Sequence, residues 1–200
     1  MTNKKEFILD TAEKMFVEQG FDQTSISQLL DATQIARGTL YYYFTSKEEI
    51  MDAIIKRWIE QSFEQMRIWV ERKHLSIIER LTGALASLNL KKNGQEFLEH
   101  LHEPQNALLH EKSNQILLSK APQILYPLFQ EGLQAGEMQT AYPYESIEMM
   151  LTYSLQLFDN SFQKLERAEQ NQKIQAFIYL LEKIFQTKEG YFASLAQLIH

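Results

Sequence analysis

Arg37-Gly38-Thr39-Leu40-Tyr41-Tyr42-Tyr43-Phe44, followed at once by Thr45-Ser46-Lys47-Glu48-Glu49, is an odd sequence for a helix that only packs. Neighbours on a helix point about 100° apart, so three consecutive Tyr cannot all face one core. Leu40 and Phe44, four apart, can pack inward together. Tyr41 and Tyr42 then lie on outer faces, where phenol hydroxyls can donate to phosphate oxygens. Gly38 removes a side chain near the helix start, where free amides and the helix dipole attract an anion. On these residues alone two readings stay open: a short aromatic packing helix, or a helix laid against a nucleic acid.

The surroundings supply the layout. Downstream, Thr45-x-x-Glu48 and Ser46-x-x-Glu49 both fit a capping box and start the next helix. Upstream, Ser25-Ile26-Ser27-Gln28 is another capping box, followed by a short stripe of Ile26, Leu29 and Leu30 and a break at Ala32-Thr33-Gln34-Ile35. A first helix begins near Asn3 or Lys4 and carries Ile8, Ala12, Met15 and Phe16 at helical spacing. It stops at Gln19-Gly20-Phe21, where Gly suits a left-handed C-cap and Phe21 supplies the closing apolar contact. Two short helices joined by a tight turn, braced by a longer helix on each side, form a helix-turn-helix over about residues 25–44.

Composition narrows the class. The chain has 200 residues, 44% hydrophobic and 23% charged, with 7 Gly and 4 Pro, too little turn chemistry for a many-stranded fold. There is no Cys, which excludes disulfides, thiol nucleophiles and Cys-based zinc sites. The opening residues run into an amphipathic helix without an apolar signal core, and no apolar stretch reaches the length of a membrane span, so a cytoplasmic protein without membrane contact is expected. Net charge is −6. In residues 1–50, Lys4, Lys5, Lys14, Arg37 and Lys47 face Glu6, Asp10, Glu13, Glu18, Asp22, Asp31, Glu48 and Glu49, an acidic balance. Any DNA contact must come from a few well-placed groups rather than a broad positive field.

The run Ile8-Leu9-Asp10-Thr11-Ala12-Glu13-Lys14-Met15-Phe16, then Gln19-Gly20-Phe21 and Thr24-Ser25-Ile26, resembles the opening of the TetR family of transcriptional regulators. Arg37 to Phe44 followed by Ser46-Lys47-Glu48-Glu49 resembles that family's most diagnostic stretch, and the likeness covers the first quarter of the chain. The resemblance implies DNA contacts from Thr24 and Ser25, from Arg37, Gly38 and Thr39, from Tyr41 and Tyr42, and from Lys47. Arg37 is the candidate for a base edge, since Arg can bridge guanine O6 and N7. Tyr41, Tyr42 and Lys47 would anchor phosphates and carry no sequence information. Two positions depart from the family: Gln34-Ile35-Ala36 stands where many members have Gly-Val-Ser, and Tyr43 where His is frequent.

Beyond residue 50 only helix patterns remain. A fourth helix continues from Ser46 past Trp58 to about Met66, and would couple the two domains mechanically. Apolar-periodic segments follow at about 75–92, 94–102, 105–136, 144–163 and 167–187, with Pro122 and Pro127 expected to break or kink the third, and a short tail helix at about 189–199. Ile147, Leu151, Leu155 and Phe158 share one face, and Ile174, Phe177, Ile178 and Leu181 another. By themselves these are intrachain core; the resemblance implies a homodimer through its last two long helices, and so a four-helix interface. Phe63, Met66, Trp69, Phe97, Leu101, Tyr126, Phe129, Met149 and Tyr153 are candidates to line an effector pocket, with plain core as the alternative. His100 and His102, two apart on a helix, point away from each other, and His110 could join them only through tertiary folding. No metal, cofactor, catalytic triad or phosphate loop is expected.

The expectation is therefore an all-α protein: an N-terminal three-helix helix-turn-helix head near residues 1–50, then a helical-bundle effector and dimerisation domain over 51–200. Its partners would be a double-stranded DNA operator, a second copy of itself, and an unidentified, mainly apolar effector that releases the operator. The alternatives are a helical ligand-binding module that keeps the head without repressing, and a helical-bundle enzyme, which no motif supports.

Overall fold

The structure is a computed structural model and describes residues 3–88, 107–157, 162 and 164–198. Its described elements are helices, with no strand among them: α1 (Lys4–Gln19), α2 (Ile26–Thr33), α3 (Arg37–Tyr43), α4 (Lys47–Val70), α5 (Ile77–Ala86), α6 (Ala107–Gln134), α7 (Pro143–Leu157), α8 (Arg167–Ile184) and a 3-10 helix (Ala193–Leu198). The described residues within 1–61 and 90–113 form one compact unit, and those within 62–89 and 114–200 another. Residues of α4 belong to both. The expected helical segment at 94–102 lies outside the described residues.

In the first unit the helix ends follow from local chemistry. Asn3 caps α1, its side-chain oxygen accepting from the Lys5 amide at 3.1 Å. Gly20 ends α1 at φ 89°, ψ 152°, a positive φ that is open to Gly yet is not the left-handed helical conformation expected there. Its N–H donates to the Phe16 carbonyl, and Phe21 meets Phe16 edge-to-face at 5.1 Å. The Ser25 box is complete: the Gln28 amide donates to Ser25 Oγ at 3.2 Å, and the Ser25 amide to Gln28 Oε1 at 2.7 Å. At the start of α4 the two overlapping boxes resolve into a hybrid. Ser46 Oγ accepts from the Glu49 amide, while the Glu49 carboxylate reaches past Ser46 to the Thr45 amide and hydroxyl. Those bonds hold the Glu49 carboxyl below the usual range. Ile8, Ala12, Phe16, Leu29, Leu40, Phe44, Ile50 and Ile54 fill the interior.

Sequence reading missed the clamp between α1 and α4. The Arg57 guanidinium on α4 bonds Glu6 at 3.1 Å, Asp10 at 2.7 Å and Glu13, all on α1, and Trp58 Nε1 donates to Glu13 at 2.7 Å. Three of the head's acidic groups are thereby turned toward one cation.

In the second unit α4 runs a full turn beyond Met66, to Val70. α6 passes through Pro122 and Pro127 as one helix, so the break among the expected outcomes does not occur. Each Pro removes only a single backbone bond, and Ala121, Leu125, Leu128 and Phe129 hold the helix by a continuous buried face. Gly83 on α5 lets the Trp69 ring lie against its backbone: a Cβ there would sit 2.2 Å from the indole. The chain end is core rather than tail. Phe185 stacks between Phe129 and Phe192 with ring centres 4.8 and 5.8 Å away, and Thr82 on α5 shares a 2.9 Å hydrogen bond with Ser194 in the 3-10 helix.

Candidate nucleic-acid interface

The α2–α3 turn is built on Gln34, a non-glycine in the left-handed region (φ 54°, ψ 28°) whose amide donates to the Leu30 carbonyl at 2.9 Å. This reverses the chain within three residues and starts α3 at Arg37. Ala36 precedes it and offers no side-chain cap. Leu40 and Phe44 are buried, as their spacing requires. That fixes the rotation of α3, so Tyr41 is 41% and Tyr42 81% exposed, with Tyr43 half-buried edge-to-face against Tyr42 at 4.9 Å. Arg37 is exposed, its guanidinium 5.7 Å from the centre of the Tyr41 ring, a cation–π distance that pre-sets the side chain along the helix. Gly38 is exposed, with nothing within 4 Å of where a Cβ would stand, and Thr39 is half-buried.

Three expected contact residues are placed differently from one another. Ser25 is exposed, with its hydroxyl engaged in the α2 cap. Lys47 is half-buried; its ammonium donates to the Phe21 carbonyl at 2.7 Å and lies 4.1 Å from the Phe21 ring centre, which leaves donors for a phosphate. Thr24 is a correction. It is wholly buried, its hydroxyl donating to the Gly20 carbonyl at 2.8 Å and accepting from Gln19 Nε2 at 2.9 Å. It welds the end of α1 to the start of α2 and presents nothing to solvent. Lys5, which sequence reading passed over, brings a cation beside the end of α3, 5.6 Å from the Phe44 ring centre. Only tertiary folding places it there.

A family model for bacterial regulatory proteins of the tetR type matches residues 8–54, which span α1, α2 and α3 and the start of α4. The match covers the head alone, 47 of the 200 residues, and there the chain is similar to the tetR family. Among curated relatives, an uncharacterized HTH-type transcriptional regulator of Lactococcus lactis is 37% identical over 90 residues, 44% of this chain and 41% of the relative. The regulator UidR of Escherichia coli K12 is 31% identical over 108 residues, 51% of this chain and 54% of the relative. The chain thus matches about half the length of these relatives. Among solved structures, SmeT, the repressor of the Stenotrophomonas maltophilia multidrug efflux pump SmeDEF, superposes with a TM-score of 0.61 at 17% identity, covering 96% of this chain and 94% of that one. A complex of SmeT with triclosan superposes with a TM-score of 0.62, again at 17% identity and covering 94% of each chain. At that identity both show a shared fold: a helix-turn-helix head with a helical second domain.

The second unit sorts its candidates by burial. Phe63, Met66 and Phe129 are buried, and Trp69 and Tyr126 are half-buried. Met149 is 61% and Tyr153 38% exposed, so neither lines an interior pocket in the single chain. Phe97 and Leu101 lie outside the described residues. The expected interface residues move the other way. Ile147, Leu151, Ile174, Phe177 and Leu181 are buried within the protomer, and Leu155 and Ile178 half-buried; Phe158 lies outside the described residues. The stripes are therefore covered largely within the protomer, and between α7 and α8 the Tyr153 ring meets Phe177 at 5.4 Å. What these helices offer to solvent is Met149 and Tyr153 from α7, and Tyr179 and Leu180 from α8. His100 and His102 lie outside the described residues, and among those described no cluster of three His, Cys, Asp or Glu side chains could hold a metal. No described helix is long and apolar enough to cross a membrane.

Proposed function

We propose that this chain is a sequence-specific DNA-binding transcriptional regulator, a repressor that sits as a homodimer on a palindromic operator and is released by a small, mainly apolar effector. The observation that carries the reading is the outer face of α3: Arg37, Tyr41 and Tyr42 stand exposed on a helix whose rotation is fixed by buried Leu40 and Phe44. Arg37 is suited to a guanine edge, and Tyr41, Tyr42, Lys47 and Lys5 to phosphates. The Arg57 clamp on Glu6, Asp10 and Glu13 supports it too, since it blunts the acidic charge that counts against DNA binding.

Dimerisation is assigned to Met149, Tyr153, Tyr179 and Leu180, an exposed apolar set on two adjoining helices. A dimer places two α3 helices at two half-sites about one DNA turn apart. The effector would be held mainly by burial among residues such as Phe63, Met66 and Phe129; that SmeT, which shares this fold, forms a complex with triclosan supports a small-molecule effector. Because binding is reciprocal, the effector must prefer the DNA-free form. Cytoplasmic residence goes with this role.

Selection of bound fragments from the source genome, followed by titration of salt, tests the reading. A palindromic consensus whose affinity falls steeply with salt supports it; retention of no fragment, with wild-type folding intact, overturns it in favour of a ligand-binding module without repression.

A further inference from the structure

Three arginines are held by carboxylates. Arg57 bonds Glu6, Asp10 and Glu13, and Arg67 pairs with Glu64. Arg80, which is 3% exposed, bonds both Glu131 oxygens at 2.6 and 3.2 Å and the Val70 carbonyl at the end of α4. Such contacts occupy N–H donors and offset the charge. Arg37 differs. Among the described residues no hydrogen bond or ion pair engages it, and its guanidinium instead meets the Tyr41 ring, 5.7 Å from the ring centre. Helix geometry accounts for the pairing. Positions 37 and 41 are one turn apart on α3, and helix side chains lean toward the N-terminus, so the Tyr41 ring covers the turn that Arg37 opens. Buried Leu40 and Phe44 fix the rotation that keeps both on the outer face. The two adjacent tyrosines are thus used differently: Tyr42 meets Tyr43, whereas Tyr41 meets a cation. Two other cations of this unit also rest on rings, Lys47 on Phe21 and Lys5 on Phe44.

A ring contact spends no hydrogen-bond acceptor on the guanidinium, so its charge is not offset and its fork stays open for guanine O6 and N7. An arginine without any contact samples many rotamers and gives up that freedom on docking; a ring one turn away restricts it beforehand. The attraction also strengthens as a groove excludes water. The Tyr41 hydroxyl acts separately. It stands at the far end of the ring from the backbone and can donate to a phosphate whatever holds Arg37. Ring and hydroxyl therefore make separable contributions, one to base preference and one to overall affinity.

We propose that Tyr41 is a positioning residue for base readout: its ring sets the Arg37 guanidinium against a base edge, so the preference carried by Arg37 depends on the ring and not on the hydroxyl. This rests on the DNA-binding reading above, and the test tells the two apart. Full-length wild type, Tyr41→Phe, Tyr41→Leu, Arg37→Ala and the Arg37→Ala, Tyr41→Leu double variant are titrated with a selected operator and its single-base variants. Arg37→Ala defines the base pair that Arg37 reads. Tyr41→Phe is expected to keep the preference there within about twofold of wild type while weakening all sequences alike. Tyr41→Leu is expected to lower that preference by about fivefold, at the same base pair and no other. In the Arg37→Ala background it should change the preference no further, because the two side chains act as a unit. A uniform loss from Tyr41→Leu with the preference retained would make Tyr41 a phosphate anchor or a packing residue and overturn the proposal. Equal loss of preference in Tyr41→Phe would overturn it too, by assigning the effect to the hydroxyl. In the free protein, the Arg37 δ protons, assigned with Arg37→Lys, should lie upfield under the Tyr41 ring current; ordinary positions in the wild type contradict the contact even if Tyr41→Leu does not fold. If the wild type binds no DNA, the DNA-binding reading falls and takes this proposal with it. If it binds and Tyr41→Leu keeps its preference, the proposal alone falls.

Discussion

Two arginines grip α4, one in each unit, and their surroundings are opposites. Arg57 meets three carboxylates, of which Glu6 and Asp10 are 47% and 64% exposed, in a cluster with surplus negative charge and open to water. Arg80 is sealed in, with one carboxylate shared with Lys73 and one helix-end carbonyl as partners. In the head, specificity of structure comes from short-range caps, and the arginine adds a screened attraction on top. In the second unit the short-range turn bonds after α4 are joined by a buried ionic contact between residues 51 apart in sequence.

The largest effect should come from breaking these grips in turn. Arg80→Ala leaves the Val70 carbonyl without its donor and is expected to cost about 3 kcal/mol, whereas Arg57→Ala should cost about 1 kcal/mol. Urea unfolding at low and high salt checks both, and only the Arg57 effect should shrink as salt rises. Equal losses with equal salt dependence would erase the contrast.

A glycine from each unit sharpens it. Gly83→Ala pushes a methyl into the Trp69 ring and is expected to cost about 2 kcal/mol with a change in Trp emission. Gly38→Ala meets open space and should stabilise α3 by up to about 1 kcal/mol, while DNA affinity falls if a phosphate approaches that backbone. Thermal unfolding beside DNA titration separates the two effects.

The same contrast explains what could be read in advance. Ser25 with Gln28, the stop at Gly20 and the inward pair Leu40 and Phe44 are short-range patterns, and the structure realises them within a residue or two. Thr24 shows the limit even there. One position before a legible cap, the resemblance implies a DNA contact at Thr24, whereas the Gln19 amide and Gly20 carbonyl that engage its hydroxyl are brought to it only by the folded turn. In α7 and α8 the periodicity located an apolar face but not its cover. Ile147, Leu151 and Leu181 are covered by the chain itself, and the apolar residues left exposed on these helices are Met149, Tyr153, Tyr179 and Leu180. Arg80 and Glu131 carry no shared motif, so only tertiary folding reveals them.

Smaller effects are expected at Thr24 and Glu131. Thr24→Val is expected to cost about 1 kcal/mol in stability and to leave DNA affinity per folded molecule unchanged; a selective loss of DNA binding would return Thr24 to the interface. Glu131→Gln should lower stability at neutral pH by an amount that vanishes in acid. The folded carboxyl lies at about 2 against an ordinary 4.5, so its contribution is present above 4.5 and lost as pH falls toward 2. Acid titration of both proteins, followed by circular dichroism, checks this; a gap between them that persisted at pH 2 would mean the ion pair is not its source.

The most direct test of the head as a DNA reader is affinity for a selected operator and its single-base variants, measured across salt for wild type, Arg37→Ala and Tyr42→Phe. If α3 lies in the major groove, wild-type affinity falls linearly on a log–log salt plot. Tyr42→Phe should weaken every sequence alike, by about 1 kcal/mol, and Arg37→Ala should flatten preference at a single base pair. Wild-type affinity and preference retained in both variants would contradict the assignment of α3 as the recognition helix.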